Sequence, residues 1–491
     1  MGDLYNTSLF VGSILLLFSI ILSKSSNKFG LPILVVFLFI GMVAGSEGLG
    51  GIEYEDYELT HSLSLIAICL IIFTGGIETH IKDIKPIFRS GVVLSSFGVL
   101  LTSFLIGAFC YFLFDIAIYE SLLIGAILSS TDAAAVFTAF RDKNSQVKKR
   151  LKSVLEFESG SNDPMAYLLV IIFLGFYQQQ IELGWNLLFI AISNPLIGYV
   201  GGFFFFKIFE FVNDSIELDF QGLYPALTIA FLFLTFSTVT ALDGNGFLAV
   251  YTLGIKLGNK RIVHKKLLMS FFDGMSWLFQ IGLFILLGLL VFPSRLLDVA
   301  PTGVVLSLFL IFIARPLTIF ISLAFSQFTR KEKIFISWAG LKGASPIVFA
   351  SLVATQLGSN ANIIFDLVFF AVLISALLQG STLRYVAKRL GLFYEAIIDP
   401  EFPIDIEVIE KTKNGIRELS IEANDFAVEK RIVDLNLPKG SIILFIKRQG
   451  SFIIPDGSST FKEGDKALLV TSEKADLEQS ILCFSTERIS E

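Results

Sequence analysis

The sequence predicts an all-α polytopic membrane protein of about 13 spans, with inverted repeats and broken helices, and a small α+β cytoplasmic domain behind it. Three observations carry this. Of 491 residues, 54% are hydrophobic and 17% charged, a composition suited to lipid rather than water. Apolar runs of spanning length alternate with short polar loops as far as about residue 390, after which the sequence turns charged. The bases of those loops fall in every second loop, as the positive-inside rule requires.

In order, the apolar runs fall near 8–23, 31–46, 62–77, 91–114, 120–139, 156–177, 185–212, 223–241, 245–258, 274–292, 303–325, 333–355 and 361–382. The first follows Asp3 with no base before it, so it reads as a span rather than a signal peptide. One set of loops carries Lys24 and Lys28; Lys82, Lys85 and Arg89; Arg141, Lys143, Lys148, Lys149, Arg150 and Lys152; Lys260, Arg261, Lys265 and Lys266; and Arg330, Lys331 and Lys333. The other set holds little base beyond Arg295 and includes the acidic stretch Glu53-Tyr54-Glu55-Asp56-Tyr57-Glu58. The N-terminus is therefore expected outside and the C-terminus in the cytoplasm. The loop after span seven (Asp214, Glu217, Asp219) is acidic and runs against the trend.

A repeat underlies the spans. Gly41 and Gly45 match Gly254 and Gly258 at an offset of 213, and Leu70 to Gly75 resembles Leu283 to Gly288 at the same offset. Val136-Phe137 matches Val348-Phe349 at 212. Paired spans are seven apart, an odd number, so the halves run in opposite senses, as in secondary transporters whose site lies at the midplane between broken helices. Span five is interrupted by Ser129-Ser130-Thr131-Asp132 and its partner by Gly340-Leu341-Lys342-Gly343-Ala344-Ser345-Pro346. Asp132 is expected to offset the positive N-terminal ends of facing half-helices, and Lys342 the negative C-terminal ends. Close helix packing by small residues also suits such segments, but does not explain a lone acid and a lone base at equivalent places.

Span six opens with Glu156, Glu158, Asn162 and Asp163 ahead of Pro164. On a helix, Glu158 and Asn162 share a face and Asp163 lies about 100° further round. A charge at bilayer depth costs about 2.5–3.5 kcal/mol, which marks a functional site. The bland alternative starts the span after Pro164 and leaves the acids among the headgroups. Arg315, before Pro316 in span eleven, needs an acidic partner at such depth, and Glu158 is the candidate; if they pair, Asp163 is the carboxylate left to exchange protons and cations. His61, His80 and His264 lie in or near loops and are given no chemical role. Cys69, Cys110 and Cys483 are far apart and suggest no disulfide or metal motif.

From about 401, alternating runs at 415–421, 441–446 and 466–470 are separated by turn signals such as Pro455-Asp456-Gly457. They predict a soluble domain over 401–487 behind a linker at 391–400.

Ser130-Thr131-Asp132-Ala133, Glu158-Ser159 with Asn162-Asp163, Ala314-Arg315 and Gly340-Leu341-Lys342-Gly343-Ala344 together resemble the monovalent cation/proton antiporters of the sodium/proton exchanger class, over essentially all of residues 1–390. Ala133, where many members carry proline, is similar to the bacterial potassium/proton branch; Lys342 stands where arginine is common. The resemblance implies a homodimer in a bacterial inner membrane, serving pH homeostasis, whose core moves elevator-fashion. It implies Asp163 as the exchanging carboxylate, Asn162, Thr131, Ser159 and Asp132 beside it, and a Glu158–Arg315 ion pair. Asn162 cannot titrate, which implies one-to-one, electroneutral exchange. Val433 to Pro438 and Ile453 to Asp465 resemble the C-terminal lobe of RCK/TrkA-type regulatory domains, which in some relatives binds small ligands, cyclic dinucleotides among them.

The function expected is export of K⁺, or Na⁺, in exchange for H⁺, with no cofactor, no resident metal and no nucleic-acid partner. The competing reading is a channel or uniporter gated by the same lobe. An intramembrane enzyme finds no support: the chain has no His-Glu-x-x-His and no Gly-x-Ser-x-Gly elbow.

Overall fold

In hydrocarbon every backbone N–H and C=O must find a partner inside the protein, so a chain this apolar has the choice of helices or a closed barrel. The computed structural model shows helices. It describes residues 2–29, 33–54, 56–138, 140, 145–182, 184–216, 218–260, 262, 264–358, 362–395, 415–421, 425–448, 451–471 and 474–485. Arg141, Lys143 and Arg261 of the basic loops, and 396–400 of the expected linker, lie outside them. The chain forms two compact units, 1–395 and 396–491.

The first unit runs α1 (Gly2–Phe29), α2 (Ile33–Ala44), α3 (Tyr57–Glu78), α4 (Phe88–Phe114), α5 (Ile118–Ile127), α6 (Ala133–Thr138), α7 (Lys149–Tyr177), α8 (Trp185–Ser215), α9 (Leu223–Ala241), α10 (Gly246–Gly258), α11 (Lys265–Leu289), α12 (Pro293–Ser322), α13 (Arg330–Trp338), α14 (Ala344–Leu357) and α15 (Asn362–Leu390). Among the described residues, eight of these are long and apolar enough to cross a membrane: α3, α4, α7, α8, α9, α11, α12 and α15. Phe10–Ser23, α2, α5, α10 and α14 are shorter apolar helices. The protein is thus a multi-pass membrane protein.

Several helices outrun their apolar cores. α7 starts at Lys149 rather than near 156, α11 at Lys265 rather than near 274, and α12 at Pro293 rather than near 303; α15 continues to Leu390 rather than stopping near 382. Hydropathy ends where charged residues enter, but the hydrogen-bond ladder carries on into the interface.

The repeat is visible in the helix ends. α7 and α15 start 213 residues apart and end 213 apart, at 149 and 362 and at 177 and 390. The breaks correspond too: α5 and α13 start at 118 and 330, α6 and α14 at 133 and 344. The matching glycines Gly41 and Gly254 each meet a glycine of the other repeat. A Cβ on Gly41 of α2 would come within 2.9 Å of the Gly288 Cα on α11, and a Cβ on Gly254 of α10 within 3.1 Å of the Gly76 Cα on α3. Both crossings are backbone against backbone, the approach that small residues permit.

A two-stranded ladder closes this unit: β1 (Ser145–Val147), just ahead of α7, pairs antiparallel with β2 (Phe393–Glu395), just after α15. The second unit, by itself, is a four-stranded antiparallel sheet of order β3-β6-β4-β5, from β3 (Gly415–Ser420), β4 (Ser441–Arg448), β5 (Ser451–Ile453) and β6 (Lys466–Thr471), with α16 (Lys474–Ser485). Its core gathers Ile421, Leu435, Ile446, Phe461, Leu469 and Phe484. Arg448 grips the buried Asp465 through Nη2 at 2.7 Å and Nε at 2.9 Å, pinning the end of β4 to the turn before β6.

Gly41→Val and Gly254→Val must push two helix backbones apart, so each should lower stability in detergent by about 1–3 kcal/mol. Gly12→Val, with open space at its Cβ, should melt with the parent; equal melting of all three would show that the crossings carry no packing load.

Candidate functional site

The site is organised by α7, which is continuous from Lys149 to Tyr177 and passes through Pro164. The acids do not sit before the helix; they lie within it, with Glu158 and Asp163 only 1% and 8% exposed. Pro164 has no N–H to return to Gly160, and Gly160, without a side chain, fits against the Tyr251 ring. On the far side of the proline, Asn245 donates to the Pro164 carbonyl at 2.8 Å while its Oδ1 caps α10 at Leu248 N, 3.0 Å away.

Two interrupted helices face α7. The first stops at Ile127 and resumes at Ala133; the second stops at Trp338 and resumes at Ala344. The extended segments between them are bonded to each other: Asp132 N donates to Leu341 O at 2.9 Å, and Lys342 Nζ to Ser130 O at 2.8 Å. Asp132 Oδ1 accepts from Ala135 N at 3.1 Å and so caps α6. Lys342 lies beyond the C-terminal end of α5, where a cation offsets the exposed carbonyls. Gly343 lets the two segments close up, since any Cβ there would strike the Asp132 carboxylate. Behind the second break, Lys342 N donates to Ser375 Oγ at 3.1 Å and Gln379 Nε2 to Trp338 O at 2.9 Å, both from α15.

Asp163 sits where these elements converge. Ser130 Oγ donates to its Oδ1, and Ser345 Oγ to its Oδ2 at 2.7 Å, one hydroxyl from each broken helix. Asn162 Nδ2 donates to Thr131 Oγ1 at 2.6 Å, and Ala133 N donates to Ser159 Oγ at 3.0 Å. A cavity of about 120 Å³ borders Asp163, Asp132, Ser159, Ser345 and Gln280. It shares Glu78 and Glu156 with a wider cavity of about 660 Å³ that also borders His80, Asp83, Lys149 and Lys152, residues of the basic-loop end. In that vestibule Asp83 is paired with Lys149 at 2.8 Å and Glu156 with Lys152 at 3.5 Å. Carboxylate, hydroxyl and amide oxygens are the hard donors that alkali cations take.

Glu158 points away from Asp163 to Arg315, with Oε1 2.6 Å from Nη1 and the arginine 3% exposed. Their remaining polar atoms, Glu158 Oε2 and Arg315 Nε and Nη2, have no partner among the described residues. Arg315 stands directly after a π turn, Leu310–Ala314. Pro316 cannot bond back to Phe312 and its ring crowds that carbonyl; a wider turn relieves both. Gly340 leaves room for the guanidinium, whose Nε a Cβ would approach to 2.5 Å.

The structure therefore brings Asp163, Asn162, Thr131, Ser159, Asp132 and Lys342 to one crossing and pairs Glu158 with Arg315 beside it. Sequence reasoning missed the roles of Ser130 and Ser345 at Asp163, although both stand in the interrupted segments. His80 borders the vestibule, and its Nδ1 lies 2.7 Å from Glu78 O. Gln280 carried no signal at all, being one amide in an apolar run.

Residues 13–389 match the family model described as "Sodium/hydrogen exchanger, transmembrane", and residues 416–479 match the "TrkA-C domain". The K(+)/H(+) antiporter NhaP of Alkalimonas amylolytica is 34% identical over 471 residues, covering 95% of this chain and 81% of that protein. The K(+)/H(+) antiporter NhaP2 of Shewanella sp. (strain ANA-3) is 32% identical over 481 residues, 96% and 83% of the two chains. The Na(+)/H(+) antiporter NhaH of Halobacillus aidingensis is 27% identical over 381 residues, 74% and 92%. The structure of the sodium proton antiporter MjNhaP1 from Methanocaldococcus jannaschii at pH 8 superposes with a TM-score of 0.69 over 79% of this chain and 99% of that one, at 22% identity, a likeness of fold.

Removing one member of a buried ion pair leaves the other uncompensated, at about 3–5 kcal/mol. Glu158→Gln and Arg315→Gln should each lower the thermal midpoint in detergent accordingly, and the double change should recover much of the loss. Two single variants that melt like the parent would show that the pair is not a structural requirement.

Proposed function

The chain belongs to the sodium/hydrogen exchanger family, and from that premise we propose that it is an antiporter that exports K⁺ in exchange for H⁺ by alternating access. One observation carries the reading: a buried carboxylate, Asp163, without a cationic partner in contact among the described residues and held by one hydroxyl from each of two broken helices at the end of a cavity. Protonated, Asp163 is neutral; deprotonated, it needs a counter-charge, which a monovalent cation supplies among the oxygens of Thr131, Ser159 and Asp132. Binding of the two is then exclusive, and exclusivity at one site exposed in turn to each side is what couples their fluxes. The names of the relatives support K⁺ as the cation.

In this reading Asp132 and Lys342 hold the crossing together, and Glu158–Arg315 keeps α7 in place without competing for the ion. Asn162 carries no proton, so one cation moves per proton. The exchanger domain is assigned to 1–390 and the regulatory lobe to 401–487, with α4 to α7 and α12 to α15 forming the moving core and α2, α3 and α8 to α11 the scaffold of a homodimer. The bacterial inner membrane is the assigned location, basic loops and C-terminus inside; on that assignment the vestibule opens to the cytoplasm. The lobe, with a nucleotide-type ligand or by pH, shifts the balance between inward and outward states, which a ligand does only by binding them unequally. The β1–β2 ladder supports this, because β2 is the last described element before the lobe and β1 the last before α7.

In everted membrane vesicles, K⁺ and Na⁺ added in turn should each report whether they dissipate a proton gradient. Asp163→Asn should reduce exchange to the level of empty vesicles while the protein stays inserted; persistent cation-driven proton movement would overturn the assignment. A rate that responds to membrane potential would contradict one-to-one exchange, and cation leak without a proton gradient would favour a channel.

Truncation after residue 395 should alter the pH or ligand profile but keep the dependence on Asp163. A truncated, inserted protein inactive at every pH and cation concentration would show that the lobe belongs to the transport mechanism itself.

A further inference from the structure

We propose that Gln280 supplies an oxygen ligand to the transported cation from the wall opposite Asp163, and so sets cation affinity in the inward-facing state. The inference rests on the antiport reading above and adds a residue from the scaffold to a site otherwise built from the core.

Gln280 stands on α11, 15 residues from Lys265, and Asp163 on α7, 14 residues from Lys149; at 1.5 Å per residue each lies roughly 22 Å along its helix. Both helices start at the basic-loop end, so the two side chains lie at similar depth. Both border the inner cavity. The scaffold wall of that cavity is otherwise Ile68, Ile71, Ile72 and Gly75 of α3, with Glu78 at the junction to the vestibule. Gln280 is therefore the neutral polar group in an apolar wall. It is 5% exposed, and among the described residues no group hydrogen-bonds its amide. An amide with so little contact with solvent gains from a partner, and this one lines the same cavity as Asp163.

The chemistry suits the place. A cation that leaves water needs oxygens on every side, and the core supplies them from one side only. An amide oxygen adds a hard ligand without adding charge, so proton and cation remain exchanged one for one. It also belongs to the scaffold, so the ligand is lost when the core moves away from it, and affinity falls as the site changes sides.

The test is exchange in proteoliposomes containing the full chain. Gln280→Leu and Gln280→Met remove the oxygen; each should raise KM for K⁺ about five- to tenfold with kcat held within about twofold. Gln280→Asn keeps a neutral amide oxygen there and should leave KM below that of either apolar variant. An unchanged KM in the folded apolar variants, or a loss of kcat at unchanged KM, would overturn the inference. If an apolar variant fails to fold, K⁺-dependent thermal shift of the other against the parent decides: equal shifts overturn it. A parent protein without K⁺-driven exchange would instead overturn the antiport reading.

Discussion

Two helices stop and restart within the apolar interior, and the backbone groups this exposes have no water to turn to. Everything at the centre of the molecule follows from satisfying them. The Leu341 carbonyl takes the Asp132 N–H and the Ser130 carbonyl takes the Lys342 ammonium, so each break repairs the other. Asp132 caps the next half-helix and Gly343 keeps the segments close. What remains after this repair is a set of hydroxyls, from Ser130, Thr131 and Ser345, with no place in the backbone pattern. Those hydroxyls meet Asp163 and Asn162.

The charges near the crossing divide by what holds them. Glu158 is matched by a guanidinium, a partner that cannot lose its proton, and the pair is sealed among packed helices. Asp163 is matched by hydroxyls alone and borders open space. The same chemical group, a carboxylate, five positions along one helix, is therefore locked to a guanidinium in one case and left between two hydroxyls beside a cavity in the other. Helix periodicity turns the two carboxylates to different neighbours, and Pro164 is accommodated by Gly160 and Asn245 so that the helix carries both.

Charges in apolar runs are rare enough to be read directly from sequence, which is why Asp163, Glu158, Arg315, Asp132 and Lys342 were all legible. The repeat was legible too, because glycines and charged breaks recur at one offset. The alternating runs of the tail located three of its four strands, while β5, at three residues, is too short to leave a pattern. Helix ends were misjudged at Lys149, Lys265, Pro293 and Leu390, where interfacial charge conceals continuing helix. Ser130, Ser345 and Gln280 needed the fold: a serine or glutamine in an apolar segment is ordinary until its neighbours across 33, 182 or more residues are known. The π turn before Arg315 was signalled only by Pro316.

The glycine crossings bear on how the chain is built. α2 lies on α11 and α10 lies on α3, so each repeat lends its second helix to the third helix of the other. Neither half holds its own complement of contacts, and half of this protein is not a domain. During synthesis, α2 and α3 enter the bilayer some two hundred residues before the glycines that receive them exist. Until Gly254 and Gly288 have been made, those early helices expose bare backbone ridges to lipid or to whatever insertion machinery shelters them. Assembly must therefore wait for the second repeat, and a nascent chain arrested between α7 and α10 would present grooves open to the wrong partners.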